Sequence, residues 1–211
     1  MRAILVHGMG RSPLSQLVLA KRLRSAGIRV HLFGYSTLRP FVTSLRRLVE
    51  KIRALKGDET FILVGHSLGC VLIRASMPHL TQLPSACFLL APPNRVPRAA
   101  RFFGRNPLYR LLTRDAGQLL FDEAFMATLP IPAGTVKVYA GTAGPTGRRS
   151  PFQNELNDGI LSVSETVLSP TNSPVLVPAL HTFIMNSELV ANDIVSTVES
   201  LEATLTSSQT T

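Results

Sequence analysis

Residues 61–77 read FILVGHSLGCVLIRASM, two apolar segments separated by a short turn sequence. The first segment, residues 61–64, has the length and apolar character of a strand that is buried on both faces. The second segment begins at Leu68 and is long enough to form a helix. The turn between them, residues 65–69, has the pattern G-x-S-x-G, whose glycines allow a tight bend around Ser67. The pattern therefore predicts a strained turn that exposes the serine hydroxyl, and the plain alternative is an ordinary turn with a capping serine.

Short apolar runs like this one recur along the chain and alternate with stretches of helical period, which predicts βαβ units and a parallel sheet. The predicted strands are Ala3 to Val6, Ile28 to Phe33, Thr60 to Val64, Ala86 to Ala91, Val136 to Ala140 and Val175 to Val177. The predicted helices are Leu14 to Ser25, Pro40 to Leu55, Leu68 to Met77, a broken region from Pro97 to Leu129, and Phe183 to Leu205. We therefore predict an α/β fold, a single doubly wound domain over residues 1–205 with about six parallel strands and helices on both faces. A short helical cap is expected at about residues 95–130, and a frayed tail at residues 206–211.

The composition is typical of a globular domain, since 45% of the 211 residues are hydrophobic and 17% are charged. The longest uncharged apolar stretch, residues 61–73, is too short and too polar to span a membrane. Cys70 and Cys87 both lie in apolar runs, which predicts buried, reduced thiols. The first residues lack the pattern of a secretory signal, so we expect a cytoplasmic protein. We also expect neither a bound metal nor a cofactor.

A serine hydroxyl becomes a good nucleophile only when a base takes its proton. The candidates are the five histidines, His7, His31, His66, His79 and His181. The last of these follows the final predicted strand, and the loops after all strands of a parallel sheet meet at one edge. The sequence therefore predicts His181 as the base for Ser67.

The base in turn needs a carboxylate that fixes its tautomer and stabilises its charged form. The acids between Ser67 and His181 are Asp115, Asp122, Glu123, Glu155, Asp158 and Glu165. The first three fall in the broken helical region and are typical of solvated helix charges, whereas Asp158 lies in a turn sequence, Asn157-Asp158-Gly159. We predict Asp158 as the acid, with Glu155 in reserve.

Acyl transfer also needs two N–H groups aimed at the oxyanion. The residue after the nucleophile, Leu68, supplies one of them. The loop after the first strand reads His7-Gly8-Met9-Gly10, and its glycines let the backbone turn the Met9 N–H inward. A dinucleotide-binding loop is the weaker interpretation, because the third glycine and the acidic residue of such loops are missing.

The sequence elements Val6-His7-Gly8, residues 65–69, Asn157-Asp158-Gly159 and His181 together resemble the α/β-hydrolase superfamily, in particular its small bacterial lipases and esterases. The resemblance covers the chain from Ala3 to about Leu201 and implies a minimal α/β-hydrolase fold. It implies Ser67 as nucleophile, His181 as base, Asp158 as acid, and the N–H groups of Met9 and Leu68 as the oxyanion hole. One departure is the roughly 17-residue excursion from Gly141 to Asn157, since many relatives place the acid within a few residues of the strand.

The expected activity is that of an esterase or lipase acting on an ester or lipid-like small molecule through an acyl-enzyme. An acyltransferase using the same three residues is an open alternative. A catalytically silent hydrolase fold that serves as a binding module is another. A nucleic-acid binder acting through basic residues is a third.

Charge is divided unevenly along the chain, whose formal net charge is +9. Residues 1–150 carry all 22 Lys and Arg against 6 acids, giving +16, while residues 151–211 carry 7 acids and no Lys or Arg. A basic half is typical of proteins that bind nucleic acid or an anionic membrane surface. With three Tyr, no Trp and no recognisable nucleic-acid-binding motif, nucleic acid is the weaker of these two partners.

The predicted cap is unusually basic, with no acid between residues 95 and 114. Its six arginines, interleaved with aromatic and leucine side chains, are Arg95, Arg98, Arg101, Arg105, Arg110 and Arg114. One interpretation is a solvated basic face on a helix whose apolar side packs on the core. The other is a short amphipathic cap that holds the protein peripherally at an anionic lipid surface.

On the second interpretation, the protein sediments with vesicles of anionic lipid at low salt, and high salt releases it. The reason is that each basic residue near an anionic surface contributes about 1 kcal/mol, which salt screens. Sedimentation with anionic and with neutral vesicles, each at low and high salt, measures this. Equal, salt-independent binding to both, or binding to neither, would leave the cap as a structural lid.

Overall fold

The computed structural model describes residues 1–55, 59–95, 117–120 and 122–208. Within these ranges, six parallel strands form one sheet in the order β2-β1-β3-β4-β5-β6. The strands are β1 (Arg2–Val6), β2 (Arg29–Phe33), β3 (Phe61–His66), β4 (Ala86–Leu90), β5 (Thr135–Gly141) and β6 (Val175–Val177). The helices are α1 (Leu17–Ser25), α2 (Phe41–Arg53), α3 (Leu68–Ser76), α4 (Glu123–Thr128), α5 (Val163–Thr166) and α6 (Glu188–Ser208). Among the residues described, three short 3-10 turns occupy Pro13–Gln16, Met77–His79 and His181–Asn186.

Buried side chains cover both faces of the sheet, because successive residues of a strand point to opposite sides. In β3, Leu63 belongs to a cluster that also contains residues of α2 and α3. Its neighbours Ile62 and Val64 belong to a second cluster, which contains residues of α1 and α6. The helices therefore lie on both faces of one sheet, which confirms the predicted doubly wound α/β class.

The six predicted strands agree with the observed ones in order, and their ends differ by at most two residues. The predicted helices before β4 correspond to α1, α2 and α3, whereas the short helix α5 was not predicted. The last predicted helix is divided, because Ser187 is extended between the turn at His181–Asn186 and the start of α6. That helix continues to Ser208, three residues beyond its predicted end at Leu205. Residues 209–211 lie outside the described residues, so the frayed tail stays a prediction. Cys70 and Cys87 are buried free thiols, as predicted.

Most of the predicted cap, residues 96–116 and residue 121, lies outside the described residues. Both interpretations of its arginines therefore stay open, although Arg95 itself is exposed. At the far end of this region, Asp122 is the N-cap of α4, and its side chain accepts a hydrogen bond from the Phe125 N–H. Across the described ranges, no helix has both the length and the apolar character needed to cross a membrane.

Helix α3 approaches the neighbouring strand β1 unusually closely at Gly69. A Cβ atom at this position would overlap the carbonyl oxygen of Val6 and lie 2.7 Å from that of His7. Both of these atoms belong to the backbone, which cannot move aside as a flexible side chain could. The second glycine of the G-x-S-x-G pattern is therefore required for packing, and it brings the start of α3 against the end of β1.

Substitution of Gly69→Ala should lower the free energy of unfolding by about 3 kcal/mol or more, since overpacking against backbone forces a shift of α3 or β1. Gly34→Ala is the matched control, because its Cβ would meet only the ring edge of Pro13, at 3.1 Å. Urea unfolding followed by circular dichroism measures both. Equal losses in the two variants would contradict this account of the helix position.

Candidate active site

Ser67 stands between β3 and α3 with φ at 51° and ψ at −119°, a backbone conformation that residues other than glycine rarely adopt. Its N–H donates to the carbonyl oxygen of Leu90 at the end of β4, with N and O 2.9 Å apart. Its own carbonyl accepts from the N–H of Cys70 in the first turn of α3, also at 2.9 Å. The predicted strained turn is thus present and is held from both sides by backbone hydrogen bonds.

The structure brings the three residues of the predicted triad into hydrogen-bonding contact. His181 Nε2 lies 2.9 Å from Ser67 Oγ, and His181 Nδ1 lies 2.7 Å from Asp158 Oδ2. A carboxylate only accepts, so Nδ1 carries the proton and Nε2 is left to accept from the hydroxyl. Asp158 and His181 are buried. The arrangement is one in which an imidazole can take the serine proton while a fixed carboxylate stabilises the resulting charge.

Asp158 is oriented by the turn sequence in which it lies. Its Oδ1 accepts from the backbone N–H groups of Ile160, at 2.9 Å, and Leu161, at 2.7 Å. Its Oδ2 is thereby directed to His181, whose own N–H donates to the Asp158 carbonyl oxygen at 2.9 Å. The Asp158 carboxylate is therefore held by its own loop, and the Asp158 backbone carbonyl holds the backbone of the base.

The long excursion after β5 returns to the sheet before it reaches Asp158. The Gly144 N–H donates to the Asn157 carbonyl oxygen at 2.7 Å, and the Asn157 amide donates to Pro145 at 3.0 Å, which closes the excursion at its base. A Cβ atom on Gly141, the last residue of β5, would lie 2.6 Å from the Asp158 Cβ. The acid thus lies against the end of β5 although it follows Gly141 by 17 positions in sequence. Glu155, the reserve candidate, instead accepts at 3.4 Å from the backbone N–H of Ser164 in α5.

The loop after β1 contacts the turn around Ser67 through Gly8. A Cβ atom on Gly8 would lie 2.7 Å from His66 Nδ1 and 3.1 Å from the Ser67 Cβ. The next residue, Met9, packs against the core cluster of α2 and α3. Leu68 is the first residue of α3, so its N–H has no partner within that helix. Both predicted oxyanion donors therefore belong to segments that adjoin Ser67.

Two further histidines lie at the site, and the sequence identified them only as alternative bases. His66 donates from Nε2 to the carbonyl oxygen of His181 at 2.9 Å, and His7 donates from Nδ1 to that of Gly8, also at 2.9 Å. Burial, together with the nearby His181, holds the pKa of His66 well below its usual range, and burial likewise lowers the pKa of His7. Both rings are therefore neutral near pH 7. The one sequence signal for them is that each ends an apolar strand.

The other two candidate bases are not part of this arrangement. His31 lies within β2, and His79 lies in the turn that follows α3. In the part of the chain that the structure describes, no three His, Cys, Asp or Glu side chains are grouped as metal ligands.

The sequence profile of the alpha/beta hydrolase family matches residues 3–187 of the chain. Among curated protein sequences, none matches the chain. Solved structures do, at low sequence identity, and they establish similarity of fold.

The matching structures include a lipase, a methylesterase and a phospholipase. The mature lipase BlEst2 of Bacillus licheniformis superposes with a TM-score of 0.67 at 18% identity, over 89% of this chain and 87% of that one. The methylesterase MES16 of Arabidopsis has a TM-score of 0.61 at 15% identity, over 94% of this chain and 99% of that one. The phospholipase PlaB of Legionella pneumophila also has a TM-score of 0.61 at 15% identity, over 80% of this chain but 46% of its own.

The two neutral histidines predict a loss of stability in mild acid. The unfolded chain titrates near pH 6.5, whereas burial lowers the pKa of His7 and His66 in the folded protein. Below about pH 6.5 the unfolded state therefore binds more protons, and the free energy of unfolding falls as the pH falls. The loss should reach up to about 1.4 kcal/mol per pH unit for each histidine.

Urea unfolding at pH 7.5, 6.5 and 5.5 measures this slope. His66→Gln should flatten it, because the variant no longer has that titrating group, while His79→Gln, at an exposed ring, is the matched control. A wild-type stability that stays constant between pH 7 and pH 5 would contradict the burial of neutral rings at the site.

Proposed function

The chain belongs to the alpha/beta hydrolase family, and we propose that it is a serine hydrolase that cleaves carboxylic esters, of the esterase or lipase type. The observation that carries the proposal is the position of His181, with one ring nitrogen 2.9 Å from Ser67 Oγ and the other 2.7 Å from Asp158 Oδ2. Because fold alone does not define an activity, this side-chain geometry is the main support. The hydrolase fold of the lipase and the methylesterase agrees with it.

Acylation begins when Ser67 Oγ attacks the ester carbonyl carbon and His181 Nε2 takes the hydroxyl proton. Asp158 stabilises the imidazolium that forms, without itself becoming protonated. The carbonyl oxygen becomes an oxyanion, which receives the N–H groups of Met9 and Leu68. The tetrahedral intermediate then collapses, the bond to the alcohol oxygen breaks, and His181 returns its proton to the departing alcohol. Ser67 is left as an acyl ester.

Deacylation repeats these steps with water as the nucleophile. His181 Nε2 takes a proton from water while the oxygen attacks the acyl carbon. The second tetrahedral intermediate collapses, the bond to Ser67 Oγ breaks, and His181 returns the proton to the serine. The products are a carboxylic acid and the free enzyme, and no cofactor enters either half of the reaction.

The exposed apolar side chains of the loops that carry the triad favour an ester with a sizeable apolar part as the substrate. Several large apolar side chains are exposed in loops that follow the carboxyl ends of strands, including Leu14 at 69% and Phe183 at 55%. Leu180 directly precedes His181, Phe183 follows it by two positions, and Ile160 follows Asp158 by two positions. Exposed apolar groups close in sequence to His181 and Asp158 fit an acyl chain or a lipid-like alcohol better than a charged substrate core.

An acyltransferase would use the same first half-reaction and replace water by an alcohol in the second. A binding module with the hydrolase fold would show no turnover at all. Labelling of the purified protein with a fluorophosphonate separates the binding module from the two enzymes, because it reports an activated serine. Product analysis with and without added alcohol then separates hydrolysis from transfer.

Ser67→Ala should lower kcat by about 10⁶ with the fold intact, and His181→Ala by a similar factor, because the three side chains act as a unit. Asp158→Asn should cost about 10⁴, since the wrong tautomer of His181 is then favoured. Hydrolysis of p-nitrophenyl esters from acetate to palmitate measures these losses and also the preferred chain length.

Glu155→Gln is the matched control, because it neutralises a carboxylate near Asp158 in the same loop. It should leave kcat within about threefold of the wild type, a difference of less than 1 kcal/mol. Greater damage from Glu155→Gln than from Asp158→Asn would overturn the assignment of the acid. Wild-type turnover in Ser67→Ala would overturn the proposed function.

A further inference from the structure

Arg11 lies in the loop between β1 and the first 3-10 turn, and this loop adjoins the nucleophile at both of its ends. It begins there because Val6, the last residue of β1, pairs with Gly65, two positions before Ser67. It returns there because the buried side chain of Gln16 donates to the Val6 carbonyl oxygen at 3.2 Å. The loop is therefore closed over the carboxyl end of β1, next to the end of β3.

Arg11 is close enough to the triad for its charge to act on a buried ring there. Only three peptide units separate it from Gly8, a reach of at most about 11 Å between the Cα atoms. A Cβ atom on Gly8 would lie 3.1 Å from the Ser67 Cβ. Burial is the main cause of the low pKa of His66, and the charges of His181 and Arg11 lower that pKa further. The Arg11 guanidinium thus lies within electrostatic reach of the reacting groups.

No residue in the described part of the chain pairs with the Arg11 side chain, which is exposed. The first acid of the sequence is Glu50, so residues 1–49 hold no carboxylate that could neutralise it. Asp158, the acid of the triad, is already bound to His181 and to its own loop. A positive charge beside the site is therefore available to a ligand.

The surface next to Arg11 is apolar. Leu14, three positions further along the chain, is the most exposed large apolar side chain in the described ranges, and Leu17 is exposed as well. A guanidinium donates two parallel N–H bonds to a carboxylate or a phosphate, whereas leucine side chains pack against a hydrocarbon chain. The combination fits a molecule with an apolar part that ends in an anion.

We propose that Arg11 is a specificity-determining residue that binds an anionic group, a carboxylate or a phosphate, carried on the apolar part of the ester substrate. The inference rests on the proposed serine hydrolase function and narrows its substrate class to anionic esters. Such a substrate is held at two points, the scissile carbonyl at Ser67 and the anion at Arg11. The separation of these two points sets the preferred length of the apolar part.

The contribution of Arg11 should appear chiefly in KM. The anion is remote from the scissile bond, so its charge is the same in the bound substrate and in the transition state. An interaction made equally in both states lowers KM and leaves kcat nearly unchanged. Since the guanidinium is exposed, salt should weaken the interaction by screening.

The test uses three sets of p-nitrophenyl esters with matched chain lengths. The first set consists of monoesters of adipic, suberic and sebacic acid, in which the second carboxyl is free. In the second set this carboxyl is a primary amide of the same shape, and in the third it is replaced by a phosphonate, which represents a phosphate. At the best length, the wild type should prefer an anionic ester over the amide by about tenfold in kcat/KM at low salt, the value of one charge-assisted hydrogen bond. High salt should reduce this preference.

Arg11→Gln should abolish the preference, and Arg11→Glu should invert it because the carboxylate repels the anion. Arg11→Lys should retain part of it, since lysine keeps the charge without the planar fork. The matched control is Arg24→Gln, which removes the same charge at the end of α1, where Arg24 donates to the Val30 carbonyl oxygen at the start of β2. The control should leave kcat and the preference unchanged.

An unchanged preference in Arg11→Gln overturns the proposal, because Arg11 is then only a solvated surface cation. A wild type that does not distinguish either anionic ester from the amide overturns it too. So does an equal loss in Arg24→Gln, which would reveal a general effect of net charge. A greater preference for the free acids or for the phosphonates identifies the anion as a carboxylate or a phosphate. Failure of the wild type to hydrolyse any of the esters, or retained turnover in Ser67→Ala, would instead overturn the proposed function.

Discussion

The backbone conformation of Ser67 is the constraint on which the whole site depends. A non-glycine residue at φ 51° carries a cost of about 1 to 3 kcal/mol, so it persists only where its surroundings hold it. Here β3 is completely buried, and hydrogen bonds to β4 and α3 hold both peptide groups of the serine. Three neighbouring positions, Gly8, Gly65 and Gly69, would each bring a Cβ atom within 3 Å of another segment. The same absence of side chains that permits the strained turn also lets β1, β3 and α3 meet around it.

His66 connects this turn to the loop that carries the base. It is the last residue of β3, and its Nε2–H donates to the carbonyl oxygen of His181, which follows β6. The N–H of His181 is bound in turn to the carbonyl oxygen of Asp158. Both the carbonyl oxygen and the N–H of His181 are therefore held by hydrogen bonds, independently of the contacts of its ring. A charged ring on His66 would oppose a charged His181, so its buried neutral state also serves proton transfer at the reacting nitrogen.

What could be predicted from the sequence was local or followed from the geometry of a parallel sheet. The G-x-S-x-G pattern, only five residues long, identified Ser67. The meeting of strand ends at one edge of the sheet led to His181 and Asp158. The roles of His7 and His66 could not be predicted in this way, because the partners of their ring nitrogens lie up to 28 and 115 residues away. A sequence shows that a histidine ends a strand, but the partner of each nitrogen depends on how distant loops pack.

The excursion from Gly141 to Asn157 shows why a long insertion before the acid is compatible with the site. Its ends meet through the Gly144 and Asn157 backbone, and Phe152 within it is buried. Once these contacts close the loop, Asp158 is oriented by Ile160, Leu161 and the end of β5, none of which belongs to the excursion's interior. The cost of closing a loop grows only slowly with its length, so extra residues there add little to the free energy of ordering the acid. The position of the carboxylate therefore does not depend on the length of the excursion. The exposed residues of the excursion, Arg148 and Arg149 among them, can change without moving the reacting groups.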